Sequence, residues 1–178
     1  MQITLELLQE KDKKQFVKDN QIAFQKAFAE EYGELDEMIL PEKDVIKSLE
    51  KDNSVAYRIL NDGVWVGGIV ISINKTTNRN SLDLFFTNPN AHGNGIGTIV
   101  WSLVEKMYPQ TKVWETYTPY FEKRNIHFYV NKCGFKIVEF FNSHHQDPNL
   151  PQGKRIIKIH LCFLLRETGC QIIGGKAP

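Results

Sequence analysis

The chain has 178 residues, of which 42% are hydrophobic and 11% aromatic, and its formal net charge at pH 7 is +1. This length and apolar content predict a single folded domain with a sizeable core and argue against disorder. The balanced charge, with basic residues dispersed along the chain, argues against nucleic acid and anionic membranes as partners.

The first half of the chain has the pattern of a strand, two helices and a hairpin. Residues 3–8 alternate as a strand does, and residues 12–28 carry apolar side chains at helical spacing. An acidic break at residues 30–37 precedes a second helix, residues 41–51, with proline near its first turn. Two strands follow, SVAYRIL and VWVGGIVISIN, and the Asn-Asp-Gly between them predicts a tight hairpin.

The second half alternates strands and helices. LDLFFT is predicted as a strand, and TIVWSLVEKMY as a helix with Ile99, Leu103 and Met107 on one stripe. The strand TKVWETYT leads to the helix EKRNIHFYVNKCG, which Gly134 ends. FKIVEFF and KRIIKIHLCFLL are strands on either side of a polar loop. The order β-α-α-β-β-β-α-β-α-β-β predicts a mixed α/β domain.

Compartment signals are few. The start MQITLELLQEKDKK lacks the basic and apolar regions of a signal peptide, and the late apolar run contains Lys158 and His160, so we expect no membrane span. Cys133, Cys162 and Cys170 are scattered and odd in number, which fits neither a disulfide framework nor a paired metal spacing. A cytoplasmic location is therefore expected.

The glycine-rich stretch HGNGIG, residues 92–97, lies between a predicted strand and a predicted helix. The free N–H groups and the dipole of a helix start favour an anion, and glycine allows a phosphate to approach the backbone. Short glycine patterns are weak evidence, so a flexible turn without a ligand is the alternative. The stretch is not a Walker loop, which would need Gly-Lys-Ser/Thr at its end. It also differs from a dinucleotide fingerprint, which would need G-x-G-x-x-G near the first strand.

Two stretches together resemble the GNAT N-acetyltransferase superfamily. TNPNAHGNGIGTIVWSLVE is similar to the family's acyl-CoA pyrophosphate loop, although His92 stands where Arg or Gln is usual and Thr87 replaces an aliphatic residue. NIHFYVNKCGF resembles the family's second motif through Asn125, Tyr129 and the Gly134-Phe135 pair. The resemblance implies an α/β fold with a mixed, mostly antiparallel sheet of about six to seven strands and about four helices. It also implies a splay between the fourth and fifth strands, a domain over residues 1–166 and a C-terminal tail over residues 167–178.

The activity implied by this resemblance is transfer of an acetyl group from acetyl-CoA to a primary amine by direct attack on the thioester. No metal is implied. Tyr129 would be the general acid, since a phenol is protonated at neutral pH, although a buried packing role is the plain alternative. The implied cofactor-binding residues are Phe85, Phe86, Thr87, His92, Gly93, Asn94, Gly95, Ile96, Gly97, Thr98 and Asn125.

The general base is open at this level. Glu115, on a strand expected to border the splay, is favoured over Asp83 because it lies nearer the expected thioester end. Either carboxylate could instead be a solvated edge-strand group, and a dedicated base could be absent.

The acceptor side of the site is less defined. The acidic residues 30–37 favour a small cationic amine through their local field, unless they are simply a solvated surface, and a protein amine is a second possibility. His144, His145 and Asp147 lie in one loop, but adjacent loop histidines rarely complete a metal site. The rival function is a non-catalytic module that binds or senses acyl-CoA. Separately, the glycine-rich tail could pair across a homodimer.

Overall fold

The computed structural model describes residues 1–34, 36–91, 95–142, 144–148 and 161–168. Seven strands and four α-helices follow one another in the predicted order. Their bounds are β1 Ile3–Leu7, α1 Lys13–Tyr32, α2 Glu42–Glu50, β2 Ser54–Asn61, β3 Val64–Ser72, β4 Arg79–Thr87, α3 Ile96–Met107, β5 Val113–Pro119, α4 Lys123–Asn131, β6 Lys136–Phe141 and β7 Leu161–Glu167. The predicted α/β class is confirmed. Most of the predicted tail, residues 169–178, and the start of the last predicted strand, residues 154–160, lie outside the described residues.

The strands form one sheet in the order β1-β2-β3-β4-β5-β7-β6. Only β4 and β5 are parallel neighbours, and every other pair is antiparallel, as predicted for a mixed and mostly antiparallel sheet. The predicted hairpin joins β2 to β3, with φ of 49° at Asp62 and 81° at Gly63. Two successive left-handed residues are what a tight hairpin turn of this hand requires.

Helices cover both faces of the sheet. Along β3 the side chains alternate, as a strand between two layers demands. Ile69 and Ile71 belong to the core beneath α3 and α4, whereas Val70 belongs to the core beneath α1 and α2. The Trp114 indole of β5 lies in the first core, with its ring centroid 5.2 Å from that of Trp101 on α3.

Two local predictions are corrected. The first helix continues to Tyr32, so Glu30 and Glu31 are helical and do not belong to an acidic break. The predicted stripe of α3 is wrong, because Ile99 and Met107 are 36% and 44% exposed. The buried face of α3 consists of Ile96, Val100, Trp101 and Val104.

The pairing of β4 with β5 stops part-way along both strands. It runs from Arg79 opposite Val113 to Leu82 opposite Thr116. The Thr116 hydroxyl donates to the Leu82 carbonyl at 2.9 Å at the last paired position. Beyond it β4 pairs only with β3, and β5 pairs only with β7. This divergence, called the fork below, confirms the predicted splay between the fourth and fifth strands.

A bulge in β4 begins at the fork. The register with β3 shifts so that Ile71 faces Leu82 while Val70 faces Leu84, which leaves Asp83 as the extra residue. A bulge changes the face to which later side chains point. As a result Leu84 and Phe86 pack towards α1 and α2, whereas Phe85 packs towards α3 and α4.

An aromatic cluster lies beyond the fork and ties α1 to the connection between β5 and α4. The Phe121 ring centroid is 5.5 Å from that of Phe24, 5.2 Å from that of Phe28 and 5.7 Å from that of Tyr32. We call these four residues the Phe121 cluster. Phe121 itself is 4% exposed. The cluster therefore joins the two diverging sides of the fork by side-chain packing, where no strand pairing does so.

The Phe121 cluster should contribute measurably to stability. We expect Phe121→Ala to lower the free energy of unfolding by about 3–5 kcal/mol, because it removes a buried ring and leaves a cavity. Urea denaturation measures this difference. Tyr120→Ala is the matched control, since Tyr120 is 44% exposed, and it should cost about 1 kcal/mol. Equal losses in the two variants would contradict the packing role of Phe121.

Candidate active site

A cleft of about 550 Å³ opens where β4 and β5 diverge. It is lined by the end of β4, the start of α3, the end of β5, α4 and one side of α1. The lining residues are Asn20, Ala23, Phe24, Ala27, Glu30, Glu31, Leu40, Leu82, Asp83, Leu84, Phe85, Phe86, Thr87, Ala91, Gly95, Ile96, Gly97, Thr98, Thr116, Tyr117, Thr118, Pro119, Phe121, Glu122, Lys123, Arg124, Asn125, Phe128 and Tyr129. The structure thus brings together every described residue predicted to bind the cofactor.

The β4 side of the cleft is a strand edge without a neighbouring strand. Phe85, Phe86 and Thr87 line it. Phe86 is anchored by Phe16 of α1, with ring centroids 5.0 Å apart, and Phe85 by Phe128 of α4 at 5.6 Å. Because residues 84–87 pair with β3 alone, peptide groups that point away from β3 face the cleft. Such groups can hydrogen-bond an extended ligand as a further strand would.

The start of α3 forms a second side. Gly95 precedes the helix with φ 72° and ψ 8°, and its carbonyl accepts from the N–H groups of Thr98 at 3.1 Å and Ile99 at 3.2 Å. The N–H groups of Ile96 and Gly97 come too early in the helix to have intrahelical acceptors. This end carries the positive pole of the helix dipole and suits an anion. His92, Gly93 and Asn94 lie outside the described residues.

The two described glycines of this stretch serve different needs. A Cβ on Gly95 would meet no atom within 4 Å, so its role is the left-handed backbone, and the space beside it is open. A Cβ on Gly97 would lie 3.0 Å from Cε2 of Phe128. Gly97 therefore allows α3 and α4 to approach each other, which positions the Phe128 ring against Phe85.

Tyr129 is buried on α4 and still reaches the cleft. It is 5% exposed, and its ring centroid lies 5.3 Å from that of Phe128 and 5.7 Å from that of Phe135. Burial raises the pKa of its phenol, and only a hydrogen bond with the Thr116 side chain opposes that shift. The hydroxyl therefore keeps its proton at neutral pH and can act as a donor. Asn125 lies one helical turn before it on α4 and also lines the cleft.

The two carboxylates predicted as candidate bases have other partners. Glu115 lies in the paired part of β5, forms an ion pair with Arg79 and is not part of the cleft lining. Asp83 borders the cleft, but its carboxylate accepts from the hydroxyls of Ser72 and Ser81 and lies 3.3 Å from Lys51 Nζ. The structure thus does not bring Glu115 together with Tyr129.

Glu122 is a cleft residue that the sequence reasoning missed. It directly precedes α4 and follows Phe121, and burial raises the pKa of its carboxyl to about 7. The nearby Arg124 guanidinium lowers this pKa, and the Glu30 carboxylate raises it. The available signal was its position seven residues before Tyr129, which places both on one side of the helix. Its burial depends on α1 and could not be deduced locally.

The α1 side of the cleft combines carboxylates with apolar groups. Glu30 and Glu31 line it together with Phe24. Arg124 Nη2 lies 3.5 Å from Glu30 Oε2, so this acidic charge is partly balanced. Asn20 is 5% exposed, and its Nδ2 has no hydrogen-bond acceptor within the described structure. The remaining acidic residues predicted to frame the acceptor, Glu34, Asp36 and Glu37, are exposed and not part of the lining.

The described ranges of the chain contain neither a metal-ligating cluster nor a membrane-spanning helix. No group of three or more His, Cys, Asp or Glu side chains there is placed to hold a metal ion. In the polar loop, His145 Nε2 lies 2.9 Å from Glu139 Oε1, and the imidazole stacks on Phe141. None of the helices in the same ranges is long and apolar enough to cross a bilayer.

The raised pKa of Glu122 should make stability depend on pH. Between about pH 4.5 and pH 7 the folded protein holds a proton that the unfolded chain has released, so the wild type loses stability as pH rises. Glutamine does not titrate. We therefore expect Glu122→Gln to gain roughly 1–3 kcal/mol over the wild type between pH 5 and pH 8. Urea denaturation at both pH values measures this gain.

Glu42→Gln is the matched control for that experiment, because Glu42 is an exposed glutamate in the first turn of α2. It should keep the wild-type dependence of stability on pH. Parallel curves for Glu122→Gln and the wild type would contradict the burial of the Glu122 carboxyl.

Comparisons with known proteins agree with this arrangement. The Acetyltransferase (GNAT) family matches residues 15–135. The uncharacterized protein YrkN of Bacillus subtilis (strain 168) is 49% identical over 154 residues, which are 86% of this chain and 83% of that protein.

Two solved structures illustrate the fold. The PaiA N-acetyltransferase of Thermoplasma acidophilum, crystallised with coenzyme A, superposes with a TM-score of 0.66 at 14% identity, over 94% of this chain and 100% of that one. The ribosomal-protein-S18-alanine N-acetyltransferase of Escherichia coli gives 0.67 at 10% identity, over 96% and 98% of the two chains. At such identities the likeness concerns the fold alone. The family match spans the fork, the start of α3 and all of α4, and on this evidence the chain belongs to the GNAT acetyltransferase family.

Proposed function

We propose that the protein is an N-acetyltransferase that transfers an acetyl group from acetyl-CoA to a primary amine by direct attack on the thioester. The observation that carries this proposal is the cleft at the fork. It combines an open strand edge, the start of a helix and the protonated phenol of Tyr129. Acetyl-CoA supplies an acetyl group that is already activated as a thioester.

The residues that line the cleft suit acetyl-CoA. The open edge of β4 at Phe85 and Phe86 offers peptide groups to an extended pantetheine arm, and Asn125 lies in the same cleft on α4. The amides at the start of α3 and the space beside Gly95 would accommodate phosphates, with the predicted help of His92, Gly93 and Asn94. Coenzyme A is bound by the Thermoplasma protein of the same fold, which supports this assignment.

Two groups would assist the chemistry at the thioester. Peptide N–H groups at the β4 edge would stabilise the oxygen as it becomes negative, which can be worth a few kcal/mol. Tyr129 would give its phenolic proton to the departing sulfur. Because burial raises the pKa of that phenol, it is fully protonated before the reaction begins.

The acceptor is proposed to be a small cationic amine. Glu30, Glu31 and Glu122 all line the α1 side of the cleft, and carboxylates in a partly enclosed space attract an ammonium group. Phe24 and Phe121 add apolar walls beside them. Cys133 and Cys162 are buried free thiols, which supports a cytoplasmic location for this activity.

Acetyl-CoA binding tests the proposed cofactor site. In a calorimetric titration the wild type should bind acetyl-CoA with saturation, and Gly95→Glu should abolish binding, because its carboxylate would occupy the open phosphate space. Since Gly95 has a left-handed φ, the substitution also costs about 1–2 kcal/mol of stability.

Gly63→Glu separates these two effects. Gly63 also has a left-handed φ, of 81°, with no atom within 4 Å of an added Cβ, but it lies in the hairpin between β2 and β3. It should show the same loss of stability with normal acetyl-CoA affinity. Absence of acetyl-CoA binding by the wild type would refute the proposed function.

Removal of the Tyr129 hydroxyl tests the proposed general acid. Tyr129→Phe should lower turnover of aliphatic amines, followed by thiol release, by about 10²-fold or more. Acetyl-CoA affinity should stay unchanged, because the ring packing is kept. Tyr120→Phe removes a hydroxyl outside the cleft lining and should leave turnover unchanged. Equal turnover in Tyr129→Phe and the wild type would rule out the acid role, and acetyl-CoA binding without acetylation of any amine would favour a sensing module.

A further inference from the structure

We infer that Glu122 is the catalytic base of the proposed acetyl transfer, taking a proton from the ammonium group of the acceptor before the amine attacks. The inference rests on the proposed function. The base is thereby assigned to Glu122, which precedes α4, instead of Glu115 on β5.

Glu122 is placed beside the proposed acid. Glu122 and Tyr129 are seven residues apart, which is about two turns of helix, so both lie on the same side of α4. Both line the cleft at the fork. Packing of the adjacent Phe121 against Phe24 and Phe28 fixes the backbone that carries the carboxylate. A base and an acid are thereby held along one wall of one cavity.

The Glu122 carboxylate is available to accept a proton, whereas the other candidate carboxylates have partners. A base needs an oxygen lone pair that no other group occupies. Glu115 is bound to Arg79, and Asp83 is bound to two serines and Lys51. Glu30 is bound to Arg124. The described residues provide no hydrogen bond and no ion pair to the Glu122 carboxylate, which leaves its oxygens for a ligand.

The environment of the Glu122 carboxylate suits a base. Burial is the main reason that its pKa rises to about 7. Among the groups around it, Arg124 of α4 lowers this pKa and Glu30 of α1 raises it, while the Tyr129 phenol is neutral. A base that titrates near neutral pH can take a proton from a bound ammonium group and afterwards release it to solvent.

The proposed transfer removes two protons from the ammonium nitrogen. One N–H bond of the ammonium breaks, and that proton passes to a Glu122 oxygen and then to solvent. The nitrogen lone pair forms the bond to the acetyl carbon, the C–S bond breaks, and the sulfur takes the phenolic proton of Tyr129. The second proton lost by the nitrogen restores the phenol. The products are an amide, a free thiol and one proton in solution.

The test is the pH profile of kcat/KM with an aliphatic mono- or diamine selected by thiol release. In the wild type, kcat/KM should fall tenfold per pH unit below about pH 7, where Glu122 is protonated. Glu122→Gln should no longer level off near pH 7, because its kcat/KM then follows the fraction of neutral amine, and it should be about 10²-fold slower or more at pH 7.5. The gap should narrow towards the amine's own pKa, near ~10, because solvent then supplies the neutral amine.

Two further variants serve as comparisons. Glu42→Gln should keep the wild-type profile, and Glu122→Asp should keep the acid limb at reduced turnover. Acetyl-CoA titration of Glu122→Gln checks that the protein is folded. If Glu122→Gln folds poorly, the acid limb of Glu122→Asp decides the question, since its disappearance would refute the inference.

Other outcomes would overturn the assignment. One is an acid limb that still ends near pH 7 in Glu122→Gln, and another is a higher KM for the amine with that limb intact, which would make Glu122 a binding residue only. Loss of the end of the limb near pH 7 in Glu115→Gln instead would assign the base to Glu115. A wild-type protein that acetylates no amine at any pH would refute the proposed function itself, and this inference with it.

Discussion

The end of strand pairing at Leu82 and Thr116 is the constraint on which the rest of the site depends. A continuous ladder between β4 and β5 would bury the edge of β4 and leave no cleft. The Thr116 hydroxyl, bonded to the Leu82 carbonyl, completes the last paired position, and the bulge at Asp83 then redirects the side chains that follow. The open peptide groups, the wall formed by Phe85 and the approach to α3 all follow from that divergence.

Side-chain packing on either side of the fork holds the two diverging strands in place. Before the fork, Trp114 is buried in the main core against Trp101 of α3. Beyond it, the Phe121 cluster connects α1 with the segment before α4, so the two sides remain joined without strand hydrogen bonds. The apolar area buried by these rings offsets the unpaired strand edge. The same packing sets the positions of Glu122 and Tyr129.

One physical cause underlies the opposite chemical roles proposed for these two residues. Burial disfavours a charge, and it raises the pKa of both the Tyr129 phenol and the Glu122 carboxyl. The phenol begins near ~10 and therefore stays protonated at neutral pH, whereas the pKa of the carboxyl begins near ~4.3 and moves close to neutrality. A cleft that is partly closed to water would thus supply the proposed acid and the proposed base from ordinary side chains.

The sequence by itself determined the order of the elements, the hairpin at Asp62-Gly63 and the glycine-rich start of α3, because strand alternation, turn conformation and helix ends are local properties. It also indicated the family through two motifs and placed Tyr129 on α4. Only the tertiary structure decided which face of α3 is buried, that Glu115 is held by Arg79 outside the cleft, and that Glu122 lies half-buried in the cleft lining. Those facts depend on groups far apart in the chain that the fold brings together, and no local pattern records which neighbour a side chain will meet.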